Sequence, residues 1–251
     1  MQVRRLRFAR SASATFLLLL LAADVVFIAV HLIHILLEVG DSLYSIHDDR
    51  SYSEMFEYTK TFWIVILLIL LAINTSSLIY LGWALIFVYL GIDNSMQLHE
   101  LGGSVFVYYS NVKDGLGLRG QDFGELAIYA LTVIVLLPII LILYFRSSEM
   151  AKRATVDLLI LLGLLAFFGV FVDMVDIIVQ GSSWSLFVTV IDVIEDAGEL
   201  IVLSLTLGYV FRLLQAEGRV DRTLIEAFYR RSPDATPGAM KVAQRVPGHE
   251  D

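Results

Sequence analysis

The sequence predicts an all-α, polytopic membrane protein, a bundle of six transmembrane helices with both termini cytoplasmic. Three observations carry this. Of the 251 residues, 57% are hydrophobic and only 18% charged, with a mean hydropathy of +0.75. Several uninterrupted apolar runs reach the roughly 20 residues that a hydrocarbon core of about 30 Å requires. Basic residues gather on one side of the resulting topology. A soluble domain, with about 45–50% apolar residues, has no comparable surplus to bury. The net charge of -8 argues against a nucleic-acid partner, and the lack of cysteine excludes disulfides, iron–sulfur clusters, thiolate zinc sites and c-type haem.

The first apolar run extends from Ala14 to about Leu37, behind Arg4, Arg5, Arg7 and Arg10. It passes through Ala22 and Ala23 without a break, which is too long for a cleaved signal, so it reads as an uncleaved first span. The second and third runs, Phe62 to Ile73 and Leu78 to Ile92, are separated by the uncharged turn Asn74-Thr75-Ser76-Ser77. The fourth spans Phe123 to Phe145 around Pro138, the fifth Ala154 to Val179, and the sixth Leu186 to Leu214. A glycine-containing loop from Gly102 to Gln121 joins spans three and four, and Gln180 to Ser185 forms a short turn.

With the N-terminus inside, fourteen of the 18 Lys and Arg fall on cytoplasmic segments, leaving Arg50, Lys60, Lys113 and Arg119 outside. This implies an integral protein of the plasma (inner) membrane. Residues 1–215 form the transmembrane domain and 216–251 a cytoplasmic tail. In the tail, Val220, Leu224, Ile225 and Phe228 suit one short helix on the inner membrane surface, while Pro233, Pro237 and Pro247 end regular structure.

Ionisable residues inside spans are rare and costly, so their positions are informative. Span one carries Asp24, His31, His34 and Glu38; span three ends in Asp93, Gln97, His99 and Glu100; span five holds Asp173 and Asp176; span six holds Asp192, Glu195, Asp196 and Glu199. Given the direction of each span, all four sets fall in the outer half, with only Asp24 near the midplane. Helical spacing puts Asp24, His31, His34 and Glu38 on one stripe, Asp93, Gln97 and Glu100 on a second with His99 turned aside, Asp173 and Asp176 on a third, and Asp192, one of Glu195 and Asp196, and Glu199 on a fourth. No lysine or arginine is expected mid-span, so His31, His34 and His99 are the only internal cationic candidates, and the excess of carboxylates must take up protons or bind cations.

His99-Glu100 resembles the start of the zincin signature, but Gly103 stands where the second histidine belongs. The Glu-x-x-His pair of ferritin-like di-iron proteins is absent, as is a mid-span lysine for a retinal Schiff base. Membrane hydrolases of the alkaline ceramidase and adiponectin-receptor type are similar in outline, but their paired histidines sit in the last span, whereas His31 and His34 sit in the first, so no residue is carried over.

Two functional expectations follow. The first is a membrane metalloprotein binding zinc, iron or manganese. Its ligands come from His31, His34, Glu38, Asp93, His99, Glu100, Asp173, Asp176, Asp192, Asp196 and Glu199, with Glu195 as general base, in an enzyme acting on a lipid or other apolar substrate. The alternative is a proton-coupled or cation transporter using the same acids. Membrane lipids are the partners in either case. Polar groups look sparse in the inner half, where Asp24, Asn74, Thr75, Ser204 and Thr206 are the candidates, and this asymmetry favours a fixed site.

Overall fold

The computed structural model describes residues 2–38, 40–180, 185–218 and 223–224, with side chains described for 12–38, 40–179, 187–218 and 223–224. The described residues are helical almost throughout: α1 (Gln2–Leu36), α2 (Tyr52–Thr75), α3 (Ile79–Met96), α4 (Leu98–Ser110), α5 (Gly120–Phe145), α6 (Glu149–Ala166), α7 (Asp173–Gln180) and α8 (Ser185–Gln215). A single 3-10 turn, Ser42–Tyr44, follows α1, and a π-helical segment, Phe167–Val172, joins α6 to α7. Among the described residues six stretches are long and apolar enough to cross a membrane: Ala12–Leu36, Tyr52–Thr75, Ile79–Met96, Gly120–Phe145, Glu149–Val179 and Phe187–Gln215. The all-helical six-span architecture expected from composition is therefore the one observed.

Boundaries differ where polar side chains serve as helix caps. Ser51 caps α2 by accepting from the Glu54 amide, so α2 begins ten residues before the apolar run at Phe62 and draws Glu57 and Lys60 into the span. The expected loop from Gly102 to Gln121 begins as helix, since α4 occupies Leu98–Ser110. Gln97 between α3 and α4 has φ 51°, so Asp93, Gln97 and Glu100 do not form one continuous stripe. α5 starts on Arg119, whose amide donates to Asp122 Oδ2 at 2.6 Å while its guanidinium pairs with Oδ1 at 2.7 Å. The turn of 181–184, the arginines at 4, 5, 7 and 10, and Val220, Ile225, Phe228 and the prolines of the tail lie outside the residues whose side chains are described.

Helix α8 is the axis of the bundle, packing against α1, α2 and α6, while α5 is peripheral and packs mainly on α4. Leu68, Leu71, Ile79, Trp83, Leu158, Leu207 and Val210 are buried in the half of the bundle nearer the α2–α3 turn, hereafter the turn end. The opposite end carries the segment 41–51, hereafter the loop end. Burial in the membrane interior leaves packing as the main attraction between helices, and small residues let them approach. Spans five and six interlock in that way. A Cβ at Gly169, within the π-helical segment, would meet the Glu199 carboxylate, and a Cβ at Gly198 would meet the Phe168 ring.

Candidate proton-carrying site

The centre of the bundle holds an ion pair. Lys60 Nζ lies 3.2 Å from Asp24 Oδ1, and both side chains are fully enclosed. The same ammonium donates to the Leu200 carbonyl at 2.6 Å and lies 3.3 Å from Ser204 Oγ, so each of its three N–H groups has an acceptor. The Phe56 ring sits 4.8 Å away. This corrects two expectations. Lys60 is not an outer-loop residue, and the histidines are not the only cations inside the spans. It also removes the ground on which a mid-span lysine was ruled out.

Glu57 precedes Lys60 by one helical turn on α2, and Glu199 precedes Leu200 on α8. Glu57 and Glu199 are within electrostatic reach of each other, as Glu57 is of Lys60 and Asp24. Asp196, Glu195 and Asp173 lie within reach of Glu199 in turn. The centre therefore holds Asp24 and Glu57 beside one lysine, with Glu199 next to Glu57. Further toward the loop end, the carboxyl groups of Asp176 and Asp192 come within hydrogen-bonding reach of each other.

The segment 41–51 folds over this end. Ser45 Oγ accepts from the His47 and Asp48 amides at 3.1 and 3.2 Å, and Gln97 Nε2 donates to Asp49 at 2.7 Å. His47, to which the sequence assigns no role, pairs with Asp196 at 3.3 Å. Its bond to that carboxylate raises the imidazole to about 9 despite burial. His31 Nδ1 accepts the Ile46 amide at 3.1 Å, which leaves the proton of the neutral ring on Nε2. His31 and His34 are stacked with centroids 6.3 Å apart.

A separate dyad forms where α3 meets α4. Asp93 accepts from the His99 amide at 2.9 Å and lies 3.1 Å from its Nδ1; the ring stacks on Tyr129 at 5.2 Å. Burial lowers the His99 imidazole, but the bond to Asp93, its charge and those of Glu125 and Glu100 together outweigh burial and hold it above the usual histidine value. The break at Gln97 thus puts His99 against Asp93, where the continuous stripe had turned it aside.

The expected metal ligands are accordingly dispersed. Glu38 lies beyond the end of α1, exposed, with φ 50°. Glu100 is also exposed, contributing its carbonyl to Gln121 at 2.8 Å. His31 and His34 stand together, Asp93 stands with His99, and Asp173, Asp176, Asp192, Glu195, Asp196 and Glu199 gather between spans five and six. Among the described residues no three His, Asp or Glu side chains converge closely enough to hold a metal ion.

The half of the bundle toward the turn end is less apolar than the sequence suggests. Asp157 on α6 is 1% exposed and accepts the Tyr209 hydroxyl at 2.9 Å; nearby Thr155 takes the Trp83 indole N–H at 3.3 Å. Asp157 does not stand out in sequence, and Glu57, which reads there as part of an acidic outer loop, lies within α2.

These features define a six-span helical membrane protein with ionisable groups buried along its axis. The chain matches the domain of unknown function DUF8692 over residues 14–213 and belongs to that family. No curated protein and no solved structure matches it.

Proposed function

We infer that the protein is a proton-coupled transporter of the plasma membrane, with both termini cytoplasmic. The observation that carries this reading is the fully enclosed Lys60–Asp24 pair, flanked by Glu57 and Glu199. A buried ion pair is weak evidence for stability, because desolvation of both ions offsets their attraction. Ionisable residues deep in a membrane protein instead mark proton or ion pathways by default. Asp24 and Glu57 beside one ammonium, with Glu199 next to Glu57, leave carboxyl charge uncompensated in a low-dielectric interior, and bound protons are the compensation that needs no assembled ligand set. With the loop end placed outward by the bias of basic residues, His47, Asp196, Glu199, Glu57, Lys60 and Asp24 form a descending series, continued by Ser204 and then by Tyr209 and Asp157 on the cytoplasmic side. This supplies polar groups in both halves.

A metalloenzyme acting on a lipid is the less favoured reading, because His99 pairs with Asp93 away from His31 and His34, and among the described residues no three His, Asp or Glu side chains converge. The test is reconstitution in liposomes with a trapped pH dye under an imposed pH gradient, beside metal analysis of the same preparation. Proton flux that disappears in Lys60→Gln and Asp24→Asn, in protein that still melts cooperatively, is the expected result. No flux in the wild type, together with stoichiometric zinc, iron or manganese that is lost in a His31→Ala, His34→Ala double variant, overturns it in favour of the metalloprotein.

A further inference from the structure

The Asp93–His99 pair lies apart from the axial series, and its geometry fixes which ring nitrogen can take a proton. Both carboxylate oxygens of the buried Asp93 are engaged, Oδ1 by the His99 amide at 2.9 Å and Oδ2 by His99 Nδ1 at 3.1 Å. The Tyr89 hydroxyl, which accepts from Thr132 Oγ1 at 2.8 Å, also comes within hydrogen-bonding reach of Asp93. A carboxylate only accepts, so neutral His99 carries its proton on Nδ1 and keeps a lone pair on Nε2. Tyr129 stacks on the ring at 5.2 Å and 23° and holds its plane. Among the described residues Nε2 has no hydrogen-bond partner, and the side chain keeps 19% of its surface exposed. The charged groups around the ring lead inward. Glu100 on α4, Glu125 on α5 and Asp173 at the start of α7 are within electrostatic reach of His99. Glu125 is in reach of Asp173, and Asp173 of Glu195 and Glu199. The pair is thus linked to the acids between spans five and six without passing through His47.

We propose that His99 is a second proton entrance: Nε2 takes a proton from the outer side and passes it by way of Glu125 to Asp173, while Asp93 is the positioning residue that fixes the tautomer of the ring. The entrance rests on the transport reading above, whereas the tautomer rests on geometry alone. On giving up the Nε2 proton the imidazolium returns to its neutral Nδ1–H form, and Asp93 stays a carboxylate throughout. Burial lowers the imidazole, but the bond and charge of Asp93 with the charges of Glu125 and Glu100 more than offset it. They bring His99 toward the neutral range, where a proton carrier works best.

Asp93→Asn separates the tautomer from the fold. The carboxamide oxygen still accepts from the His99 amide, but its NH2 meets Nδ1 as a donor, so neutral His99 must carry its proton on Nε2 and can take none there. Nitrogen NMR of histidine-labelled full-length protein, with His99 assigned by His99→Gln, reads the tautomer independently of transport. Proton flux is read in liposomes with a trapped pH dye. The expected result is an Nδ1–H ring in the wild type and an Nε2–H ring in Asp93→Asn. In a His47→Gln background, which removes the other entrance, Asp93→Asn and His99→Gln should each lower flux by roughly 10²-fold, the lower end of what a positioned proton carrier contributes. An Nε2–H ring in the wild type overturns the proposal without any variant having to fold. A switched tautomer with undiminished flux, where Lys60→Gln still abolishes flux, overturns the entrance and leaves transport standing. Flux already lost in His47→Gln alone overturns the entrance too. Absence of flux in the wild type overturns the transport reading and the entrance with it.

Discussion

Glu199 and Gly169 face each other across the interface of spans five and six so closely that the carboxylate occupies the place a Cβ would take at position 169. The glycine stands inside the π-helical segment Phe167–Val172. A π-turn widens the helix and is found mostly at functional positions, and here it makes room for an acid between two membrane spans. Gly169→Ala should therefore displace Glu199, or force α6 and α8 apart, at a cost of about 1–3 kcal/mol in stability. Thermal melting of purified protein measures the loss. The shorter acid in Gly169→Ala, Glu199→Asp should recover part of it, and a double variant no more stable than the single one would show that the carboxylate is not what the added methyl meets.

The Lys60–Asp24 pair makes a prediction with two separable readouts. Removing one partner, as in Lys60→Met or Asp24→Leu, leaves an uncompensated buried charge or its neutralised form and should destabilise by about 3–5 kcal/mol. Replacing both should cost much less, since an enclosed ion pair and a packed apolar pair differ little in net stability. Proton flux should nevertheless stay lost in the double variant. A double variant that melts like the wild type and still conducts protons would remove the pair from the pathway.

The Asp93–His99 dyad predicts a local effect. His99 holds two contacts to one carboxylate across the break at Gln97, so Asp93→Ala should loosen the α3–α4 junction and expose a buried imidazole. Loss of a hydrogen bond that leaves a polar group unsatisfied costs about 1–3 kcal/mol. Asp93→Asn, whose single oxygen can still accept from the His99 amide while its NH2 can only donate toward the ring, should retain part of that stability and raise amide exchange at 98–101 less than Asp93→Ala does. Equal exchange in the two variants would mean that the side-chain bonds do not secure the junction.

The spans were legible because apolar runs of sufficient length are nearly unambiguous, and the crowding of Asp173, Asp176, Asp192, Glu195, Asp196 and Glu199 between spans five and six follows from their helical spacing. Lys60 was hidden by its neighbours. The stretch Ser51-Tyr52-Ser53-Glu54 followed by Glu57-Tyr58-Thr59-Lys60 resembles a polar outer loop when hydropathy alone is weighed. The signal that reveals it is the Ser-x-x-Glu cap, which starts the helix at Tyr52 and carries Lys60 two turns inside. His47 could not be found that way, because its contact to Asp196 spans about 150 residues of sequence and depends on how Ser45 folds the loop. The Gln97 break was equally invisible, since a polar residue continues a helix as readily as it ends one.

His47 gives the pH dependence. Its value in the folded protein, about 9, lies above the ordinary 6.5 because it pairs with Asp196. A group whose folded value is raised stabilises the fold fully below its unfolded value and ceases to do so as pH climbs through the folded one. The pair should thus hold the segment 41–51 over the loop end at pH below about 6.5, weaken between there and about 9, and contribute nothing above. The ring is half exposed, so solvent screens much of the interaction. His99 adds a dependence of the same sign, which makes a His47→Gln reference necessary. The difference in melting temperature between wild type and His47→Gln should shrink from pH 6.5 to 9, and proteolysis within 41–51 should accelerate over the same interval in the wild type only. A difference that stays constant across that interval would mean that the imidazole carries no charge in the folded protein and that contacts such as those of Ser45, His31 and Gln97 hold the loop without it.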